Sequence, residues 1–169
     1  MEKKKAVESQ TIMTELVLPN DTNTLNNLMG GRLLHWIDIA AAITAQKHAG
    51  RTVVTASVDN VSFHESIELG DVVTLEAKVT RAFRSSVEVH IKVKAENIPR
   101  GTSMKTNSAF LTFVAVDAQG KPIPIPGVIP ETEEEKTLYE SALRRRQLRL
   151  VLDGRMKPEE ATELKMLFD

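Results

Sequence analysis

The chain has 169 residues, enough for one domain with a substantial core, and its 41% hydrophobic and 27% charged residues make an ordinary globular composition. A net charge of -1 gives no global attraction to nucleic acid or to an anionic membrane. The lack of cysteine excludes disulfides, thiolate metal sites and a cysteine nucleophile, and it suits a reducing cytoplasm.

"MEKKKAVESQ" (1–10) is charged and has no apolar run, so it reads as an N-terminal tail and not as a secretory signal. "TIMTELVLP" (11–19) predicts a first strand that Pro19 ends, and "NDTNTLNN" (20–27) a loop of turn and N-cap formers. Gly30 and Gly31 then open a long helix that should run to about His48, with Gly50 as its stop. Arg32, His35, Asp38, Gln46 and Lys47 interrupt that helix, so no segment reaches the ~20 apolar residues of a membrane span.

Four strand-like segments follow. "RTVVTASVDNVSF" (51–63) is rich in β-branched residues, and "DVVTLEAKVTRAF" (71–83) sets Val73, Leu75, Ala77 and Val79 on one face. "SVEVHIKVKAE" (86–96) alternates strictly and predicts an antiparallel strand with one wet face. "SAFLTFVAVD" (108–117), apolar on both faces, predicts a central strand. "ELGD" (68–71) and "DAQG" (117–120) are tight connections, and "KPIPIPGVIP" (121–130) an extended exit. "ETEEEKTLYESALRRRQLRL" begins acidic and ends basic, the order a helix dipole favours, and the last residues add a short helix or a tail.

The expected fold is α+β: an antiparallel sheet wrapped around one long central helix, with a C-terminal helix. Residues 1–10 form the tail, 11–130 the domain and 131–169 a helical extension. Ala40, Ala41, Ala42 and Ala45 let a concave sheet approach the helix closely. A single thin sheet leaves faces and edges bare, which predicts pairing with a second copy.

The residue that stands out is Asp38, set among apolar neighbours. Leu33, Ile37, Ala40 and Thr44 make the stripe that packs on the sheet; Leu34, Asp38, Ala41, Ala42 and Ala45 make the next, offset by about 100°. Asp38 therefore sits at the edge of the buried face, either as a solvated or paired carboxylate or as a functional one. Gly30 and Gly31 either permit a tight helix entry or leave N–H groups to hold an oxyanion. Asn23 either caps its turn or positions a water or carbonyl. Arg81, Arg84, Ser85 and Ser86 around one hairpin could grip phosphate oxygens, or form an ordinary solvated turn. The four histidines have no metal-ligand spacing, and nucleophile-elbow, Walker and dinucleotide motifs are missing.

"DTN" (21–23), "MGGRLLHWID" (29–38), "TASVDNVSF" (55–63), "LGD" (69–71), "RSSVEV" (84–89), "FVAVD" (113–117) and "GKPIPIP" (120–126) occur in that order. Together they resemble the hotdog-fold acyl-coenzyme A thioesterases, over about residues 10 to 140. The resemblance implies a double-hotdog dimer, commonly three such dimers in a homohexamer, in the cytoplasm. It implies hydrolysis of acyl-CoA to fatty acid and CoA, a reaction of fatty acid metabolism, with no metal and no cofactor beyond the CoA of the substrate. The family's catalytic pair, an Asn before the helix and an acidic residue fifteen positions later, falls on Asn23 and Asp38, shared across the dimer.

On this reading Asp38 activates water or attacks the thioester itself, the Gly31 N–H polarises the carbonyl, and Asn23 of the other subunit orients the reactants. Arg81, Arg84, Ser85 and Ser86 would meet the CoA phosphates. The chain departs from the family's usual pattern at Asn26, Met29 and Ser66, and Asn26 suits a left-handed backbone. Two other functions compete: a hotdog enoyl-thioester hydratase or dehydratase, for which His64–Glu65 is the nearest pair, and a non-catalytic acyl-CoA-binding protein.

Overall fold

In the computed structural model, residues 1–59 and 61–169 are described; Asn60, inside the predicted 51–63 strand, lies outside them. The chain divides into two compact units, Met1–Ile129 and Pro130–Asp169.

The first unit contains β1 (Lys4–Lys5), β2 (Thr11–Leu16), α1 (Gly30–Ala49), β3 (Thr52–Asp59), β4 (Val72–Ala82), β5 (Ser86–Asn97), β6 (Thr102–Val116) and β7 (Val128–Ile129). Five strands form one sheet in the order β2-β4-β5-β6-β3, every neighbouring pair antiparallel. The sheet curls around α1, the hotdog arrangement. Leu33, Ile37, Ala40 and Thr44 are all buried, as their stripe predicts, and Thr44 Oγ1 donates to the Ala77 carbonyl at 3.3 Å. Val73, Leu75, Ala77, Val89, Ile91, Leu111 and Phe113 supply the facing layer of the core. Each fully buried large side chain among them contributes about 1.5–3 kcal/mol.

The C-terminal end of α1 is held twice. Gly50 terminates it in the left-handed region at φ 63°, its N–H bonded to the Gln46 carbonyl. Lys4 Nζ donates to the His48 carbonyl at 2.9 Å, placing a cation at the negative end of the helix. Lys4 is there because β1 pairs in parallel with β7, and Ala6 and Ser9 just beyond are buried. The first ten residues, polar in sequence, are thus tied down by the proline-rich exit segment.

Three strands differ from expectation. β3 ends at Asp59, so residues 61–63 of the predicted 51–63 strand are not part of it. β6 begins at Thr102, six residues before the predicted start, because "TSMKTN" is polar and carries no alternation to read, yet pairs with Val93–Asn97 through a hairpin closed at Gly101 (φ 66°). β5 is not wet along its whole outer face: Glu88 is 1% exposed and accepts a hydrogen bond from Thr80 Oγ1 at 2.5 Å.

The second unit contains α2 (Glu133–Leu152) and α3 (Thr162–Lys165). Thr132 caps α2, its Oγ1 accepting from the Glu135 N–H at 3.1 Å while Glu135 reaches back to the Thr132 N–H, and three glutamates fill the first turn. Among the described residues no helix is long and apolar enough to cross a membrane, and no His, Asp and Glu cluster could hold a metal ion.

Candidate active site

The loop before α1 is built around two side chains. Asp21 is buried; its Oδ2 accepts from the Leu18 N–H at 2.9 Å, its Oδ1 faces Arg32 Nε at 3.2 Å, and its carbonyl accepts from the Met29 N–H. This fastens the loop to the first turn of the helix. Asn23 folds the loop itself: its Oδ1 accepts from the N–H groups of Leu25 at 2.9 Å and Asn27 at 3.2 Å. Asn26 takes φ 57°, the left-handed conformation expected of an Asn at that position.

That turn decides what Asn23 can offer. Its oxygen is spent on two backbone donors, and its NH2 group keeps both hydrogens without a partner among the described residues. The capping and functional readings of Asn23 are therefore compatible, since the cap leaves the donor free.

At the start of α1, the N–H groups of Arg32 and Leu33 both bond to the Met29 carbonyl, and Met29 adds no side-chain cap. The N–H groups of Gly30 and Gly31 have no such partner among the described residues. Gly31 faces open space, with nothing within 4 Å of where a Cβ would stand, while Gly30 lies against the Phe63 ring. Asn23 and Gly30 line a cavity of about 360 Å3 whose other walls include Leu28, Leu33 and Ile67.

Asp38 is half-buried, two turns further on and about 10 Å along the axis at 1.5 Å per residue. Its Oδ1 accepts a hydrogen bond from Thr55 Oγ1 on β3 at 2.9 Å. A β-bulge directly follows: Thr55 pairs with Phe113, but Ser57 pairs with Thr112, leaving Ala56 extra. The bulge turns both Thr55 and Val58 to the face shared with Phe113 and Leu111, and such irregularities commonly re-aim a side chain beside a site. Thr55 is a candidate site residue that sequence reasoning missed; on an edge strand a threonine looks like ordinary β propensity.

Within one chain, no hydrogen bond joins Asn23 to Asp38 among the described residues. Ile39 and Ile43 on α1, and Val54 and Val58 on opposite faces of the edge strand β3, are large apolar side chains left exposed. Arg81, Arg84, Ser85 and Ser86 sit around the β4–β5 hairpin, whose Ser85 carbonyl accepts from Ala115 and whose Arg84 carbonyl accepts from Ile125. Ser86 pairs with Val114, near the end of α1 opposite Gly30, so one chain does not bring this hairpin to the Asn23 cavity.

Comparison with known proteins places the geometry in context. The Thioesterase superfamily signature matches residues 25–102. The chain is 46% identical to an uncharacterised acyl-CoA thioester hydrolase of Bacillus subtilis, over 82% of this chain and 80% of that one. It is 44% identical to mouse acyl-coenzyme A thioesterase 11, covering 86% of this chain but only 24% of the mouse protein. Among solved structures, a hexameric acyl-CoA thioesterase is 48% identical with a TM-score of 0.85, covering 88% of this chain and 96% of its own. A Staphylococcus aureus acyl-CoA hydrolase in complex with butyryl-CoA and CoA is 37% identical with a TM-score of 0.84, over the full length of both chains. That protein has also been solved with alanine replacing an asparagine, an aspartate and a threonine. Those positions are separated by fifteen and seventeen residues, the separations of Asn23, Asp38 and Thr55.

Proposed function

The chain belongs to the acyl-CoA thioester hydrolases of the thioesterase superfamily, and we propose that it cleaves acyl-CoA with Asp38, Asn23, Gly31 and Thr55 as its working groups. It hydrolyses acyl-CoA thioesters to the free fatty acid and coenzyme A. The observation that carries the site assignment is the Thr55–Asp38 hydrogen bond. Thr55 occupies one carboxylate oxygen and fixes its plane, which leaves Oδ2 to take a proton from water. The water oxygen then bonds to the thioester carbon, and negative charge collects on the carbonyl oxygen. The unspent N–H of Gly31, at the positive end of the α1 of a second copy and beside that copy's Asn23 loop, stabilises that charge. Collapse of the tetrahedral species breaks the C–S bond, and the CoA sulfur leaves with the proton that Asp38 accepted. Neither a metal nor a separate cofactor enters this scheme.

Asn23 enters from a second copy. The open edge of β3, with Val54 and Val58 exposed, and the exposed Ile39 and Ile43 of α1 suit pairing two sheets edge to edge, which would set Asp38 and Thr55 of one chain near the Asn23 loop of the other. The hexameric state of a relative 48% identical supports a dimer-based assembly, arranged as a trimer of dimers. In such an assembly the Arg81, Arg84, Ser85 and Ser86 hairpin contributes contacts to CoA phosphates. The working compartment is the cytoplasm.

Thiol release measured with a range of acyl-CoAs tests this reading. Release with butyryl-CoA supports it. Tight binding without release would favour a non-catalytic acyl-CoA-binding protein, and hydration of crotonyl-CoA without release a hydratase.

A further inference from the structure

The cavity beside Asn23 also carries information about the acyl group. Leu33 and Ile67, 2% and 4% exposed, form its floor, while Leu25 and Phe63 stand at its rim, 76% and 52% exposed. Large apolar side chains left in water beside an oriented donor favour an apolar ligand. Glu65 is the one charged residue on the lining among the described residues. A carboxylate with no nearby lining cation repels the phosphate-bearing end of CoA, so the uncharged acyl tail is the part that fits.

Phe63 occupies a particular place in this cavity. A Cβ on residue 30 would stand 3.3 Å from its Cε2 and Cζ atoms, so the ring packs directly on the helix start because residue 30 is glycine. It therefore borders the N–H groups that receive the thioester oxygen. At about 360 Å3 the cavity lies at the small end of the roughly 300–1,000 Å3 range of ligand sites.

Building on the function proposed above, we propose that this cavity takes the acyl tail and that Phe63 is the wall that limits its length. Methylenes that stay in contact with Leu25, Leu28, Leu33 and Ile67 each raise kcat/KM roughly fourfold, the equivalent of burying one CH2. Methylenes that would have to pass Phe63 meet the ring and add nothing.

The test is kcat/KM for straight-chain acyl-CoAs from acetyl to palmitoyl, with the wild-type protein, Phe63→Ala and Phe63→Trp. Because the ring is half-exposed, both variants should fold, and assembly is checked by size-exclusion chromatography. The wild-type profile should rise and then break at an intermediate length. Phe63→Ala should move the break to longer chains and Phe63→Trp to shorter ones. A break that stays in place in both variants overturns the assignment, as does a wild-type profile without one. A change by the same factor at every length also overturns it, since that result puts the pantetheine arm in the cavity. Wild-type protein that releases no thiol from any substrate overturns the hydrolase reading itself, a result separable from the others.

Discussion

Thr55 Oγ1 on β3 donates to Asp38 Oδ1 on α1 at 2.9 Å, and this bond ties the helix to the bulged edge strand at the candidate base. Its consequence is orientation of the carboxylate. Thr55→Val should lower kcat/KM about tenfold to a hundredfold, the range for a hydrogen bond to a charged group. Thr55→Ser should retain most activity, because it keeps the hydroxyl. Thermal melting should change little in either, since Thr55 is exposed. Equal activities of the Val and Ser variants would remove the hydroxyl from the account.

Asn23 separates its two roles in a single substitution. Asn23→Asp keeps an acceptor for the Leu25 and Asn27 N–H groups, so the loop should fold as before. It replaces the NH2 with an oxygen, and kcat should fall about 100- to 1,000-fold, as for loss of an oriented donor. Activity close to wild type in this variant would reduce Asn23 to a turn former.

If Asn23 and Asp38 serve one site from two chains, inactive variants should complement each other. Equal amounts of Asn23→Ala and Asp38→Asn protein, mixed, dissociated and reassembled, should regain some intact sites. Recovered thiol release after exchange, with none in either parent, is the expected outcome. Persistent inactivity despite verified mixed assemblies would place the pair within one chain.

His48 gives the fold a pH dependence of known sign. It is fully buried at the end of α1, with Nε2 2.8 Å from the Pro126 carbonyl oxygen. A carbonyl only accepts, so the proton sits on Nε2 and the buried Nδ1 is bare. Desolvation is the main force holding the His48 pKa below 6.5, opposed by the Pro126 hydrogen bond and aided by the charge of Lys4. In acid the unfolded chain therefore binds this proton before the folded one does. Stability from His48 is full above about pH 6.5 and declines as pH falls below it. Urea midpoints at fixed protein concentration should show that decline, and His48→Gln, which cannot titrate, should flatten it. An unchanged slope in the variant would assign the dependence elsewhere.

Much of this architecture was legible in the sequence because burial and periodicity coincide. Leu33, Ile37, Ala40 and Thr44 recur at helical spacing, and all four are buried against the sheet. Asp38 was legible as an oddity for the same reason, one step off that stripe. The first half of β6 was not, because Thr102–Asn107 is polar and its pairing is set by β5, far from any local pattern. Thr55 was hidden differently. Its importance comes from a bulge and a contact seventeen residues away in sequence, and neither leaves a local mark. The Arg81 to Ser86 cluster had a plausible composition for phosphate, yet the register of β5 with β6 places it away from the Asn23 cavity of the same chain.

The most direct measurement is thiol release from butyryl-CoA by Asp38→Asn. The amide is isosteric and still presents an oxygen to Thr55, so the fold and assembly should survive, as size-exclusion chromatography and melting would verify. With no carboxylate to take the proton from water, kcat should fall about 100- to 10,000-fold, the usual contribution of a positioned base. Turnover within a few-fold of wild type in a correctly assembled Asp38→Asn protein would contradict the account.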